Sequence, residues 1–98
     1  MHPRFEKYVA DLETAFRHLL EAKPVLPTEL PADMPVAGVY LFSERGRHLY
    51  VGRSNALRRR IRRMHVRYVE ESDPVKQALL EIYVATVLKT RYNDFDTH

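Results

Sequence analysis

The chain contains no cysteine. That excludes disulfide staples, a thiolate zinc site and a cysteine nucleophile, and it fits a cytoplasmic protein. The chain also lacks any apolar run near the roughly 20 residues needed to cross a bilayer, so no membrane partner is expected. The N-terminal stretch MHPRFEKYVADLE has no apolar h-region and carries acids early, which argues against a secretory signal. Internal repeats and low-complexity tracts are missing as well. The most local absence is of acid: between Arg45 and Arg67 there is no Asp or Glu, against nine arginines.

What is present is enough for one small core. Ninety-eight residues, 45% hydrophobic and 30% charged, suit a single globular domain. The formal net charge is only +3, so its distribution matters more than its sum. Acids gather in the N-terminal segment and after Val69, which gives the folded chain a positive side suited to a polyanion. A solvated arginine face without a partner is the alternative at this stage.

Residues 3 to about 22 predict an amphipathic helix, with Phe5, Tyr8, Val9, Leu12, Phe16, Leu19 and Leu20 at steps of three and four. Its apolar stripe is expected to join the chain's own core, or else to meet a partner chain. Residues 24 to 35 hold four of the six prolines and predict an extended surface connector. A hairpin is expected over 38–52, with SERGR as its turn. Leu57, Ile61, Met64 and Tyr68 predict a helix from 54 to about 65, arginines outward, capped by Ser54 or Asn55. VRYVE, 66–70, either extends that helix or forms a short third strand, and the strand is preferred. Asp73 as N-cap and Pro74 as first residue open a last helix to about Lys89, apolar on nearly every side and so expected to be buried. The fold class is therefore α+β: a small antiparallel sheet flanked by helices, with 1–36 as helix and connector and 37–98 as the main domain.

Three features stand out against that sketch. Gly38 and Gly52 sit at opposite ends of the hairpin, where glycine marks a bulge or a close approach. Tyr40 and Tyr50 are placed to come near one another across the strands. Glu81 lies among apolar residues in ALLEIYVATV and must be paired, protonated or bound to a cation. Taken singly, each has an ordinary structural explanation. Together, a carboxylate, two phenols and a positive segment are parts for phosphodiester cleavage.

GVY at 38–40, a nine-residue spacer and YVG at 50–52 resemble the signature of the GIY-YIG nuclease superfamily. The residues that follow strengthen the resemblance. Arg60 in LRRRI, Glu81 in LLEIYV and Asn93 in RYNDF match the family's arginine, glutamate and asparagine in order. The likeness covers about residues 37 to 95. It implies a three-stranded antiparallel sheet and metal-dependent hydrolysis of a nucleic-acid phosphodiester, with DNA favoured over RNA. On that resemblance Glu81 holds Mg²⁺ or Mn²⁺, and Tyr40 is the general base or its close helper. Tyr50 orients the phosphate or the attacking water, Arg60 grips the scissile phosphate and Asn93 fixes the local geometry. Gly38 and Gly52 keep side chains from crowding the site. Many members carry a histidine four residues after the arginine; here that place holds Met64, and His65 follows one later. His65 fills the role only where the helix ends or distorts.

The remaining polar groups of this segment, Arg53, Ser54, Asn55, Arg58, Arg59 and Arg63, with Arg62 and Arg67, are candidates for non-specific backbone affinity or for solvation alone. Two other functions share the same residues: a non-catalytic nucleic-acid-binding module that keeps the fold, and an interaction domain that dimerises or meets a protein partner through the N-terminal helix. The sequence carries no zinc finger or helix-turn-helix, so weak specificity or dependence on a partner is expected.

Overall fold

The structure, a computed structural model, describes residues 1–61 and 66–93. In chain order it comprises α1 (Pro3–Ala10), α2 (Leu12–Glu21), a 3-10 turn (Pro27–Glu29), β1 (Gly38–Glu44), β2 (Arg47–Ser54), α3 (Leu57–Arg60), β3 (Val66–Glu70) and α4 (Pro74–Leu88). The fold is α+β, with one antiparallel sheet in the order β2-β1-β3. VRYVE is its third strand.

β1 explains why VYLF is continuously apolar rather than alternating. It is the central strand and is covered on both faces. Val39 and Leu41 pack with Phe16, Leu19, Val51, Leu80 and Val84 in the main core beneath α2 and α4. Tyr40 and Phe42 point the other way, onto a smaller cluster of Leu57, Ile61 and Val66. The hairpin turn is two residues, Arg45 and Gly46, with φ of 53° and 76°. Two consecutive positive φ values match the right-handed twist of the strands they join, and only Gly46 takes such a value without strain. A bulge interrupts the ladder: Phe42 faces Tyr50 but Ser43 faces His48, leaving Leu49 without a cross-strand partner.

The proline segment is extended, as expected, apart from the 3-10 turn. Before that turn, Val25 exchanges both backbone hydrogen bonds with Val66 (2.9 and 3.1 Å). The outer edge of β3 is thereby closed at one point.

Three expectations are corrected. The single N-terminal helix is two, broken at Asp11, which has no side-chain cap bond and is paired instead with Lys76 (3.3 Å). Only α2 reaches the core, through Phe16 and Leu19. α1 buries nothing, and Phe5 and Val9 remain 42% and 37% exposed. α4 starts as predicted, Asp73 Oδ1 accepting from the N–H groups of Val75 (2.8 Å) and Lys76 (3.3 Å). It is not buried all round, however. Gln77, Leu80, Val84 and Ala85 face inward while Val75, Ile82 and Val87 are exposed, because the sheet and α2 cover one side of it only.

The arginine helix is a single turn. Its cap is Ala56, and Ser54 Oγ accepts from the Ala56 N–H (2.9 Å) while Asn55 Oδ1 accepts from Gln77 Nε2 (3.0 Å). Ser54 is spent on the loop and Asn55 on α4, and neither caps the helix. At Ile61 the backbone is already extended (φ −82°, ψ 103°), which sends the chain back toward β3. The rest of the predicted helix, 62–65, lies outside the described residues.

This division of the N-terminal stripe has a measurable consequence. Phe16→Ala should cost about 3–5 kcal/mol of unfolding free energy, as large-to-small core substitutions do. Phe5→Ala should cost less than about 1 kcal/mol. Urea denaturation of the two variants checks it, and similar losses would show α1 to be buried after all.

Candidate active site

The pairing of β1 and β2 creates the site. Tyr40 lies opposite Gly52 and Phe42 opposite Tyr50, so all four share the face turned away from α2 and α4. The Tyr40 and Tyr50 rings lie 6.1 Å apart, tilted by 46°. Around them opens a cleft of about 770 Å³ lined by Tyr40, Phe42, Tyr50, Arg60, Ile61, Val66 and Tyr92. α3 is short, but it suffices to present Arg60 here: Leu57 and Ile61, three residues before and one after, are buried and fix the turn.

Glu81 does not line this cleft; it stands on α4, on the other side of the sheet. On α4 the line Gln77, Leu80, Val84 is buried, and one further residue from Leu80 rotates about 100°. That turns Glu81 toward β2, where its Oε1 meets Arg53 Nε at 3.5 Å. The Glu81 side chain is 19% exposed and that of Arg53 is 47% exposed. Burial pushes the Glu81 carboxyl above its ordinary value, and Arg53 draws it back down. The Tyr40 phenol is also held above its ordinary value, first by burial and then by Tyr50; Arg60 opposes this and Glu81 adds to it. Tyr40 thus feels both the arginine and the carboxylate.

Asn93 acts on backbone. Its Oδ1 accepts from the Val51 N–H (2.8 Å) and from Thr90 Oγ1 (2.7 Å), and its Nδ2 donates to the Val51 carbonyl (2.9 Å). The amide copies a strand neighbour for Val51, the residue between Tyr50 and Gly52. Beside it the Tyr92 N–H donates to the carbonyl of Leu49, the bulged residue (2.9 Å).

No family model matches the sequence, and no curated protein does. Solved structures do match. The chain is similar to the GIY-YIG N-terminal endonuclease domain of UvrC from Thermotoga maritima. With a point mutant bound to its catalytic divalent cation, the TM-score is 0.52 at 16% identity, covering 84% of this chain and 97% of that one. With the magnesium-bound form of the same domain, the TM-score is again 0.52 at 16% identity, covering 84% and 98%. This is the GIY-YIG fold.

Within the GIY-YIG frame the two triplet glycines do different things. A Cβ on Gly52 would lie 2.6 Å from both Cζ and the hydroxyl oxygen of Tyr40. The glycine makes room for the phenol. A Cβ on Gly38 would lie 2.0 Å from the Val69 carbonyl oxygen and 3.1 Å from Leu57 Cδ1. That glycine lets β3 and α3 close on β1; what it keeps clear is backbone, not the cleft.

The arginines divide as well. Arg60 lines the cleft and Arg53 pairs with Glu81. Arg58 donates to the Pro31 carbonyl and Arg67 to the Ala22 carbonyl (3.0 Å), so both tie the N-terminal segment down. Arg59 is exposed on α3. Arg62, Arg63 and His65 lie outside the described residues. Tyr92 is the cleft residue that sequence reading passed over; its one signal was an aromatic directly before Asn93 in RYNDF.

Gly38→Ala should lower stability by about 2 kcal/mol or more, since backbone must move. Gly52→Ala should cost less, because a ring can swing aside, and should be close to neutral in a Tyr40→Ala background. A double-mutant cycle by chemical denaturation measures this coupling, and equal costs of Gly52→Ala in both backgrounds would remove Tyr40 as its neighbour.

Proposed function

We propose that the protein is a divalent-metal-dependent endonuclease that hydrolyses phosphodiester bonds in nucleic acid, DNA in preference to RNA. The observation that carries the reading is the convergence of Tyr40, Tyr50 and Arg60 on one cleft, with the half-buried Glu81 on α4 outside its lining and paired with Arg53. The fold shared with UvrC's endonuclease domain supports it.

Glu81 fits a hard cation. Among the described residues no three His, Asp or Glu side chains cluster. Mg²⁺ usually keeps several waters and takes one or two carboxylates, so one half-buried carboxylate is a suitable anchor. Glu81 would hold Mg²⁺ or Mn²⁺. Such a cation supplies positive charge to the phosphoryl oxygens and acidifies water. Arg53 opposes the upward pull of burial on this carboxyl.

Arg60 binds the scissile phosphate, and its fork of donors strengthens as charge develops on the phosphoryl oxygens. The Tyr50 hydroxyl orients the phosphate or the attacking water. Tyr40 rests as a neutral phenol. To act as the base it must first give up its own proton to solvent, and the positive charge of Arg60 favours that phenolate, which then takes the proton of the nucleophile. Asn93 touches no reacting atom; it is a positioning residue that holds Val51, and through it Tyr50 and Gly52.

The test is cleavage of supercoiled plasmid and of single-stranded and branched DNA and RNA oligonucleotides with Mg²⁺, Mn²⁺ or EDTA. Cleavage should require metal, and Glu81→Ala should abolish it while salt-sensitive binding survives. Arg60→Ala should slow it about 10²- to 10³-fold. Binding by the wild type without cleavage of any substrate would leave a nucleic-acid-binding module in place of an enzyme.

The pH dependence follows from Glu81. Its carboxyl is raised by burial, so the acidic limb of the rate at subsaturating metal should lie above the ordinary glutamate value of about 4.3. Arg53 lowers that carboxyl, so Arg53→Met removes the opposing charge and should move the limb to still higher pH. A pH–rate profile of both proteins checks the sign; a limb displaced downward would mean that Arg53 is not the partner of Glu81.

A further inference from the structure

The cleft holds more aromatic surface than a phosphodiester group needs. Phosphate is recognised by cations and hydrogen-bond donors, and Arg60 and the phenols already provide these. Phe42 and Tyr92 add rings to the same hollow. Tyr92 is unlike the others in being 61% exposed. Its backbone is nonetheless fixed, through the hydrogen bond to Leu49 and the clamp of the next residue, Asn93, on Val51. An exposed ring on a fixed backbone loses little conformational entropy on binding. The Arg91 guanidinium lies 5.7 Å from the centre of that ring. An aromatic ring beside a cation is the pairing that takes a base and its adjoining phosphate.

We propose that Tyr92 is a stacking platform for an unpaired nucleobase beside the phosphate gripped by Arg60. The cleft then takes a single-stranded, frayed or flipped nucleotide in preference to intact duplex. The inference rests on the nucleic-acid reading of the cleft and adds the structural class of the substrate. In duplex DNA both faces of a base are covered, so stacking on Tyr92 requires unstacking first, which costs least where the base is already unpaired.

Binding in EDTA tests this without turnover. A labelled deoxyoligonucleotide is titrated by fluorescence anisotropy as a single strand, as its blunt duplex, and as a strand carrying abasic sites. The wild type should bind the single strand more tightly than the duplex. Tyr92→Leu should weaken single-strand binding by about 5- to 100-fold and leave duplex binding nearly unchanged, while Tyr92→Phe stays close to wild type. On the abasic strand, wild type and Tyr92→Leu should bind alike. Unchanged single-strand affinity in Tyr92→Leu, an equal loss on the abasic strand, or duplex preference in the wild type would each overturn the proposal. Quenching of 2-aminopurine placed along the strand gives a direct stacking signal from the unmutated protein, and its absence at every position would also overturn it. Cleavage measured in parallel with Mg²⁺ separates the two readings: cleavage without a Tyr92 effect sinks only the platform, and a Tyr92 effect without cleavage sinks only the nuclease.

Discussion

β1 is sandwiched, and the rest of the structure depends on that constraint. Val39 and Leu41 are fully buried against the helices on one face. Tyr40, held between them in sequence, can only point to the other. The strand at the centre of the core therefore also sets the floor of the cleft. A shift of one residue in its pairing would exchange the two faces completely. Core packing and site geometry are in this sense one specification. Gly38 and Gly52 enforce it at the two ends: the first admits β3 beside the strand, the second admits the phenol beside β2.

The arginine-rich stretch looks uniform in sequence and is not uniform in structure. One member enters the cleft, one neutralises a half-buried carboxylate, and two fasten the N-terminal segment to the sheet and α3. A guanidinium suits each of these tasks for a different reason. Its fork fits a phosphate or carboxylate, and its long stem with several donors reaches distant carbonyls. Counting charge alone would have assigned all of them to a polyanion.

The parts of the fold legible in the sequence were those set by local physics. Two β-prone runs around a glycine-containing turn marked the hairpin. Asp73 and Pro74 marked the start of α4. The hairpin marked the nearness of Tyr40 and Tyr50, while the place of Phe42 and Gly52 on the same face came from the register. What was not legible depended on tertiary partners. The break at Asp11 reflects no helix breaker in the sequence, and Asp11 is engaged with Lys76, which is remote along the chain. The outer face of α4 is as apolar as its inner face, so pattern alone could not say which side would be covered. Ser54 and Asn55 are good capping residues by type, yet the Ala56 N–H claimed the first and Gln77 on α4 the second. Tyr92 carried almost no signal, because what makes it part of the cleft is a hydrogen bond to a bulged residue far upstream.

Among the described residues, the two edges of the sheet are each met by a distant part of the chain: Val25 against β3, and the Tyr92 N–H and the Asn93 amide against β2. Neither contact is a strand, so neither adds much to the ladder. Each does occupy backbone groups that would otherwise be open to pairing with another molecule. The Asn93 contact spans 42 residues of sequence, and closing a loop of that length is entropically unfavourable until the hairpin beneath it exists. The seal on β2 therefore depends on the fold that carries Asn93 back to the hairpin. Without it, the outer margin of β2 would be open to strand pairing with a second copy of the chain.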